Sequence, residues 1–194
     1  MGQPKMLLPW GKTTVIGHLI AQWQKAGASQ IAIVNAAGDQ ALAKELDRLA
    51  LPPEDRLCNP APELGMFSSI QCAARWPGWT PGLSHWAIAL GDQPHLRAET
   101  LLALLRLGAA HPEGVCQLSR RGRPRHPVLL PARAFRLLAD STHQSLKQFL
   151  QSATFESALE ESEDVGLDLD IDEPADYLKA MRLFGNTANA GDGE

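Results

Sequence analysis

Acidic residues stand at two points of the sequence where predicted strands end. Asp92 follows the apolar run 86–90, the most hydrophobic strand candidate, and Asp170 and Asp172 end an alternating apolar and acidic segment, 166–172. In open α/β sheets, ligands bind outside the carboxyl ends of the strands. Carboxylates gathered there repel one another unless a cation lies between them, and oxygen ligands without nearby His or Cys favour Mg²⁺. The sequence therefore predicts a magnesium site formed by Asp92, Asp172 and Asp170.

Each of these carboxylates also has a structural interpretation. Asp92 lies just before Pro94, where an aspartate commonly caps a helix or stabilises a turn, and position alone does not separate the two interpretations. Asp172 ahead of Pro174 likewise suits a helix cap. The presence of two acidic strand ends, rather than one, favours the shared cation.

A second group of polar residues surrounds the start of a predicted helix over 66–75. Asn59, Gly65, Ser68 and Ser69 offer a short amide, a flexible backbone position and two hydroxyls. The unpaired N–H groups of a helix N-terminus suit a base carbonyl, a ribose or a phosphate. Ser68 and Ser69 equally suit routine first-turn positions. Lys5, taken by itself, is best interpreted as a solvated lysine near the chain start.

One dense cationic cluster stands out in a chain with a net charge of −4. It consists of Arg120, Arg121, Arg123 and Arg125, followed by His126. Such a run is often a solvated loop, and weak contact with nucleic acid is another interpretation. Its position directly before a strand favours binding of an anionic small molecule.

Strands and helices are predicted to alternate along the chain, which indicates an α/β fold with a mostly parallel sheet and helices on both faces. The predicted strands are 31–34, 56–58, 86–90, 115–118, 128–130 and 166–172. The predicted helices are 15–27 (capped by Thr13 or Thr14), 39–49, 66–75, one marked by the leucines of 101–107, 132–138, 144–150 and 175–184. We expect one domain over 1–184 and a mobile tail over 185–194.

Composition excludes several classes of protein. A chain of 194 residues with 44% hydrophobic and 21% charged residues suits a single folded domain. The net negative charge argues against a nucleic-acid partner or an anionic membrane surface. The apolar run at the chain start is too short for a signal peptide, and no stretch is long enough to span a bilayer. Three widely spaced cysteines without a C-x-x-C pair suit a reducing cytoplasm.

Taken in order, the motifs resemble the MobA-like nucleotidyltransferases, and within them the molybdenum cofactor cytidylyltransferase branch. The start M-G-Q-P-K-M-L-L-P-W is similar to the end of that family's phosphate loop, and G-D-Q-P over 91–94 resembles its metal motif. The stretch from Asn59 through G-M-F-S-S-I over 65–70 is similar to its nucleoside-contacting segment. Residues 121–128 resemble its substrate loop, and D-I-D-E-P-A-D-Y over 170–177 is close to its D-I-D-T-P-E-D-Y ending.

The resemblance implies a Rossmann-like nucleotidyltransferase fold, that of the nucleotide-diphospho-sugar transferases, and a magnesium-dependent reaction. A nucleoside monophosphate from CTP or a related nucleotide would pass to a phosphate acceptor such as molybdopterin, with release of pyrophosphate. Lys5 and Asp92 would be catalytic, with Asp92, Asp172 and Asp170 on Mg²⁺. The implied nucleotide contacts are Gly2, Lys5, Asn59, Gly65, Ser68 and Ser69, and the implied acceptor contacts are Arg123, Arg125 and His126.

The chain also departs from the family pattern. The family's first strand and glycine-rich half-loop, L-A-A-G-x-S-x-R, have no counterpart, so we expect neighbouring strands with unpaired edges. Arg125 replaces a usual Gly, and residues 141–144 replace a G-D-x-G-A-R-like turn. Two alternatives therefore stay open. One is a catalytically silent relative that binds the cofactor or a molybdoenzyme, and the other is a sugar-phosphate nucleotidyltransferase of the same fold.

Overall fold

Strands and helices alternate in the computed structural model, which describes residues 4–152 and 155–184. The strands are β1 (Pro9–Trp10), β2 (Thr13–Thr14), β3 (Ile33–Ala36), β4 (Arg56–Asn59), β5 (His85–Ile88), β6 (Val115–Arg120), β7 (Arg123–Pro131) and β8 (Ser157–Glu161). The helices are α1 (Val15–Lys25), α2 (Gln40–Arg48), α3 (Met66–Arg75), α4 (Ala98–Ala110), α5 (Ala132–Leu138), α6 (Leu146–Ser152) and α7 (Pro174–Phe184). None of the helices in these ranges is long and apolar enough to cross a membrane. The tail 185–194, expected to be mobile, lies outside the described residues.

Helices cover both faces of a four-stranded sheet with the order β5-β7-β6-β8. Successive residues of β7 point to opposite faces, as the pleat of a strand requires. Val128 and Leu130 pack in one cluster with residues of α3, α5 and α6, whereas Leu129 packs in another with residues of α4. The predicted α/β class with helices on both faces is confirmed.

The strand directions are mixed rather than mostly parallel. β3 pairs parallel with β4, and β6 pairs parallel with β8, but β7 runs antiparallel to both β5 and β6. β6 and β7 are joined by only two residues, Arg121 at φ 52° and Gly122 at φ 70°. A two-residue turn of left-handed residues joins antiparallel strands, whereas parallel strands need a long crossover. This tight turn is the reason for the difference from the prediction.

The sheet is divided between β3 and β5. Within the described ranges β3 pairs with β4 alone and β5 with β7 alone, so each strand has one unpaired edge. Helix α1 contacts the apolar clusters of both strands, since Ile16 and Ile20 pack with Ile33, and Trp23 borders the same cluster as Ala87. Both strands remain partly exposed although they are largely apolar. The unpaired strand edges that the sequence predicts are therefore present among the described residues.

The predicted strand over 166–172 is wrong. The structure has a 3-10 turn at Val165–Asp168, because Asp164 caps it by accepting a hydrogen bond from the Gly166 N–H at 2.9 Å. The alternating burial is nevertheless real, since Leu167, Leu169 and Ile171 are all buried. The edge of the sheet is formed instead by β8, inside a segment that the sequence marks only as acidic.

Candidate active site

Asp92 lies shortly after β5, beside the segment that carries Asp170 and Asp172. The backbone N–H of Ile171 donates to the backbone carbonyl of Asp92 at 3.1 Å. Ile171 is buried in a cluster with Trp10 from the chain start. This bond and this packing hold the two acidic segments side by side, although the second segment is not a strand.

Lys5 lies between the carboxylates of Asp92 and Asp172. Its Nζ atom donates to Asp172 Oδ1 at 2.8 Å and lies 3.6 Å from Asp92 Oδ2. The neighbouring residue Met6 packs against Gly91, where an added Cβ would lie 2.7 Å from the Met6 sulfur. Gly91 therefore permits the close approach that holds the chain start against the turn carrying Asp92.

The surroundings of Asp92 carry an excess of negative charge. The Asp92 side chain is 24% exposed, and its Oδ1 atom is buried without a hydrogen-bond partner among the described residues. Burial raises the pKa of Asp92, and although the charge of Lys5 opposes this rise, Asp170 and Asp172 add to it. Burial lowers the pKa of Lys5, but the hydrogen bond to Asp172 and the charge of Asp92 outweigh burial, so that pKa is raised.

Gln93 is a site residue that the sequence analysis did not single out. Its side chain is buried, and its Nε2 atom donates to Asp170 Oδ1 at 2.8 Å. Asp170 is therefore held by an amide, while Asp92 and Asp172 share Lys5. Over the ranges that the structure describes, no group of three or more His, Cys, Asp or Glu side chains is arranged to hold a metal. Of the three predicted metal ligands, Asp92 and Asp172 therefore lie beside the Lys5 ammonium group, whereas Asp170 is hydrogen-bonded to Gln93.

Asn59 is an internal residue whose hydrogen bonds stay within the protein. Its side chain is 2% exposed, and its Nδ2 atom donates to the Oγ atoms of Ser68 and Ser69 at 2.8 and 2.9 Å. Its Oδ1 atom accepts from the Ala61 N–H at 2.9 Å. The Asn59 side chain therefore links the start of α3 to the loop before it. Its predicted contact with a nucleotide stays a prediction.

The loop before α3 borders an open groove. Gly65 has φ 83°, a conformation that favours glycine, and a Cβ at this position would meet nothing within 4 Å. The groove has a volume of about 530 Å³ and runs between β4 and α3. Its lining includes Arg56, Ala61, Leu64, Ser68, Cys72 and Arg75. Gly2, the remaining predicted nucleotide contact, lies outside the described residues.

The arginines of the predicted acceptor loop are not a uniform cluster. Arg125 forms an ion pair with Asp168, and Arg120 Nε lies 3.2 Å from the other oxygen of the same carboxylate. Arg123 is exposed and forms no salt bridge within residues 4–152 and 155–184. Asp168 is not among the residues that the sequence predicts for this site, and its only signal is its place in the acidic segment 166–172. Of the two arginines among the predicted acceptor contacts, Arg125 is paired with Asp168, and Arg123 has the exposed guanidinium group that is available to an anion.

His126 lies at the same end of the sheet as Asp92. Its Nδ1 atom is 3.3 Å from the backbone oxygen of Ile88, the last residue of β5. Burial lowers the pKa of His126, and the contact with Ile88 and the charges of Asp170 and Asp92 oppose that change only in part. The lowered pKa favours the uncharged form of the imidazole. His126 contributes hydrogen bonding to this loop rather than positive charge.

Comparison with known families identifies the family of this chain. The family model described as the MobA-like NTP transferase domain matches residues 1–161. The chain therefore belongs to the MobA-like NTP transferase family. Lys5 and Asp92 lie inside the matched range, and Asp172 follows it. No protein with a curated function matches the chain in sequence.

Solved structures share the fold at low sequence identity. A nucleotidyl transferase from Methanothermobacter thermautotroptrophicus (Mth528) has a TM-score of 0.75 and 21% identity, covering 94% of this chain and 86% of that chain. Rv0371c from Mycobacterium tuberculosis H37Rv has a TM-score of 0.73 and 23% identity, covering 94% and 90%. Its complex with manganese has a TM-score of 0.68 and 21% identity, covering 93% of both chains. Molybdopterin-guanine dinucleotide biosynthesis protein A from Archaeoglobus fulgidus has a TM-score of 0.64 and 13% identity, covering 94% and 91%. The Rossmann-like nucleotidyltransferase fold is thereby confirmed.

Proposed function

We propose that this protein transfers a nucleoside monophosphate from CTP or a related nucleoside triphosphate to a phosphate acceptor, releasing pyrophosphate. The observation that carries the proposal is the position of Lys5 between Asp92 and Asp172, beside an Asp92 oxygen that has no hydrogen-bond partner among residues 4–152 and 155–184. Nucleotidyl transfer requires positive charge at the triphosphate and carboxylates for a divalent cation. These three residues supply both at one edge of the sheet.

Asp92 and Asp172 fit a divalent cation such as Mg²⁺. The buried Oδ1 atom of Asp92 lacks a partner in the described part of the chain, and carboxylate oxygens are ligands that Mg²⁺ prefers. When bound, such an ion supplies the positive charge that stabilises the phosphate groups as pyrophosphate leaves. Gln93 would keep Asp170 oriented beside the pair. The manganese complex of Rv0371c, a relative in fold, supports a divalent cation as the cofactor.

The nucleotide would lie between Lys5 and the start of α3. Lys5 carries the charge that the triphosphate needs, and Gly2 would belong to the same phosphate loop. Gly65, Ser68 and Ser69 lie at the first turn of α3, where helix N–H groups without intrahelical partners suit an anion or a ribose. Asn59 serves the nucleotide indirectly, because it holds the two serines. The groove between β4 and α3 has room for a nucleoside.

The acceptor would approach from the side of the β6–β7 hairpin. We assign its phosphate to the exposed guanidinium of Arg123 and to the neutral imidazole of His126, which lies near Asp92 and Asp170. Arg125 joins them only when it leaves Asp168. A molybdopterin-type cofactor is the acceptor that we propose, because the chain belongs to the MobA-like family. The protein's own contribution is to bind and orient two phosphate groups in line, since little covalent chemistry is required of it.

A specific observation favours a second candidate function. The sheet is divided at β3 and β5, next to the place where phosphate would bind. A catalytically silent relative that binds the cofactor or a molybdoenzyme would tolerate this division of the sheet. A sugar-phosphate nucleotidyltransferase would keep the carboxylate pair and require a different acceptor.

Pyrophosphate release separates these functions. The protein is incubated with Mg²⁺, with CTP or GTP, and with molybdopterin or a sugar 1-phosphate as acceptor. We expect release with CTP and molybdopterin, reduced about a hundredfold or more in Asp92→Asn, which loses a group that holds the cation. The matched control is Asp140→Asn, an exposed aspartate outside the site. Binding of molybdopterin without pyrophosphate release would favour the silent relative, and release with a sugar 1-phosphate alone would favour the third function.

A further inference from the structure

The ammonium group of Lys5 lies where a cation shared by Asp92 and Asp172 would have to lie. Nζ is 2.8 Å from one carboxylate and 3.6 Å from the other, and it is the positive group that the structure places between them. The Lys5 side chain is only 35% exposed, so it is not a freely solvated lysine. Met6 and Gly91 hold its backbone in contact with the Asp92 turn.

We propose that Lys5 is a built-in counter-ion that occupies the divalent-cation position until the metal arrives, so that Lys5 and the metal exclude one another between Asp92 and Asp172. This inference rests on the proposed function, because it assumes that the two carboxylates bind a metal. It adds that metal binding releases Lys5. The released ammonium, with three hydrogen-bond donors, then becomes available to the phosphate groups of the nucleotide.

The exclusion follows from size and charge. Carboxylate oxygens approach Mg²⁺ to about 2.0–2.1 Å, which leaves no room for an ammonium group between the same two carboxylates. Two adjacent cations would also repel each other in a partly buried site. The metal therefore binds only the fraction of molecules in which Lys5 has moved away, and its apparent affinity is lowered by that fraction.

A role for Lys5 in assembling the metal site would have the opposite effect on metal affinity. If Lys5 merely drew Asp92 and Asp172 together for the metal, its removal would leave two repelling carboxylates and would weaken metal binding. If Lys5 is the competitor, its removal strengthens binding of the metal alone. Removal should at the same time weaken binding of the metal with nucleotide, because the phosphates lose an ammonium.

The experiment is a titration with Mn²⁺ alone, followed by the electron paramagnetic resonance of the free ion. We compare the wild type with Lys5→Met, which keeps side-chain length without charge, and with Lys5→Arg, which keeps the charge. Lys44→Met, at an exposed position on α2, is the control for a lost lysine elsewhere. Lys5→Met should bind Mn²⁺ about two- to fivefold more tightly, the range expected when partly exposed ion pairs are removed. Lys5→Arg and Lys44→Met should remain near the wild type.

A second titration, of CTP in the presence of Mn²⁺, should change in the other direction. Lys5→Met should bind CTP about ten- to a hundredfold more weakly, which is the usual cost of one charged hydrogen bond. Unchanged or weaker binding of Mn²⁺ alone by Lys5→Met would overturn the exchange while leaving the metal site in place. Absence of Mn²⁺ binding in the wild type and in Lys5→Met would overturn the metal site and the exchange together.

Discussion

Removal of the Asn59 side chain should loosen the start of α3 and destabilise the protein. In Asn59→Ala, the hydroxyls of Ser68 and Ser69 and the N–H of Ala61 lose partners that lie at 2.8, 2.9 and 2.9 Å. Ser68 keeps its contacts with the carbonyl groups of Ala61 and Gly65. The loss at Ser68 is therefore partly compensated, and the losses at Ser69 and Ala61 are not.

The size of this effect follows from the three bonds. A hydrogen bond inside a protein contributes about 0.5–1.5 kcal/mol, and a buried group left without a partner costs about 1–3 kcal/mol. Two uncompensated losses and one partial loss give a decrease of about 2–4 kcal/mol in the free energy of unfolding. Each kcal/mol lowers the Tm of a protein of this size by about 2–4 °C, so we expect a Tm lower by roughly 5–15 °C.

Urea unfolding followed by circular dichroism measures the change. The matched control is Asn35→Ala on β3, because the Asn35 amide makes only an exposed contact, with the carbonyl of Ala36 at 3.1 Å. We expect that control to lose less than about 0.5 kcal/mol. Equal losses in the two variants would refute the positioning role of Asn59. Unchanged stability with weakened CTP binding would show that the Asn59 amide reaches the nucleotide directly.

Three further predictions concern charge, strand pairing and the acceptor. Asp92→Asn should stabilise the protein by about 1 kcal/mol or less at pH 7 and not at pH 3, as measured by thermal melts. The reason is that burial raises the pKa of Asp92 above its ordinary 3.8. The contribution of Asp92 to stability is therefore present at low pH, where its carboxyl group is protonated, and is lost as the pH rises through the pKa in the folded protein. A lower Tm of the variant at pH 7 would contradict this. An apolar extended segment added ahead of residue 1 should raise both the Tm and the affinity for CTP, because it can pair with the edges of β3 and β5 that are unpaired among the described residues. Gains no larger than those from a lysine-rich segment of equal length would speak against it. Arg123→Ala should spare CTP binding and slow transfer to the acceptor about ten- to a hundredfold, unlike the exposed Arg133→Ala control; normal transfer would remove Arg123 from the acceptor site.

Local signals predicted the parts of the fold that depend on neighbouring residues. Helix α3 spans Met66–Arg75 as the sequence predicts, because Gly65 precedes it and Pro77 follows shortly after its end. Thr14, one of the two caps that the sequence predicts, caps α1 by accepting a hydrogen bond from the Gly17 N–H. The placement of Asp92 after β5 followed from the apolar run that ends just before it. In each case a residue's effect extends only a few positions along the chain.

Contacts between distant residues explain the parts that the sequence did not reveal. In β8 only Ala158 is buried, because this edge strand faces solvent, so its sequence lacks the apolar pattern of a strand. It forms because β6 offers a parallel partner. The pairing of Arg125 with Asp168 joins residues 43 positions apart and turns a predicted free cation into a neutralised one. Tertiary partners of this kind leave no periodicity to detect.

The central claim is that Asp92, Asp172 and Lys5 together form the metal and nucleotide centre of a nucleotidyltransferase. Isothermal titration of CTP with and without Mg²⁺, on the wild type, Asp92→Asn and the Asp140→Asn control, tests it most directly. The wild type and the control should bind CTP more tightly when Mg²⁺ is present, and Asp92→Asn should lose that dependence. Magnesium-dependent CTP binding that is unchanged in Asp92→Asn would contradict the assignment of this site.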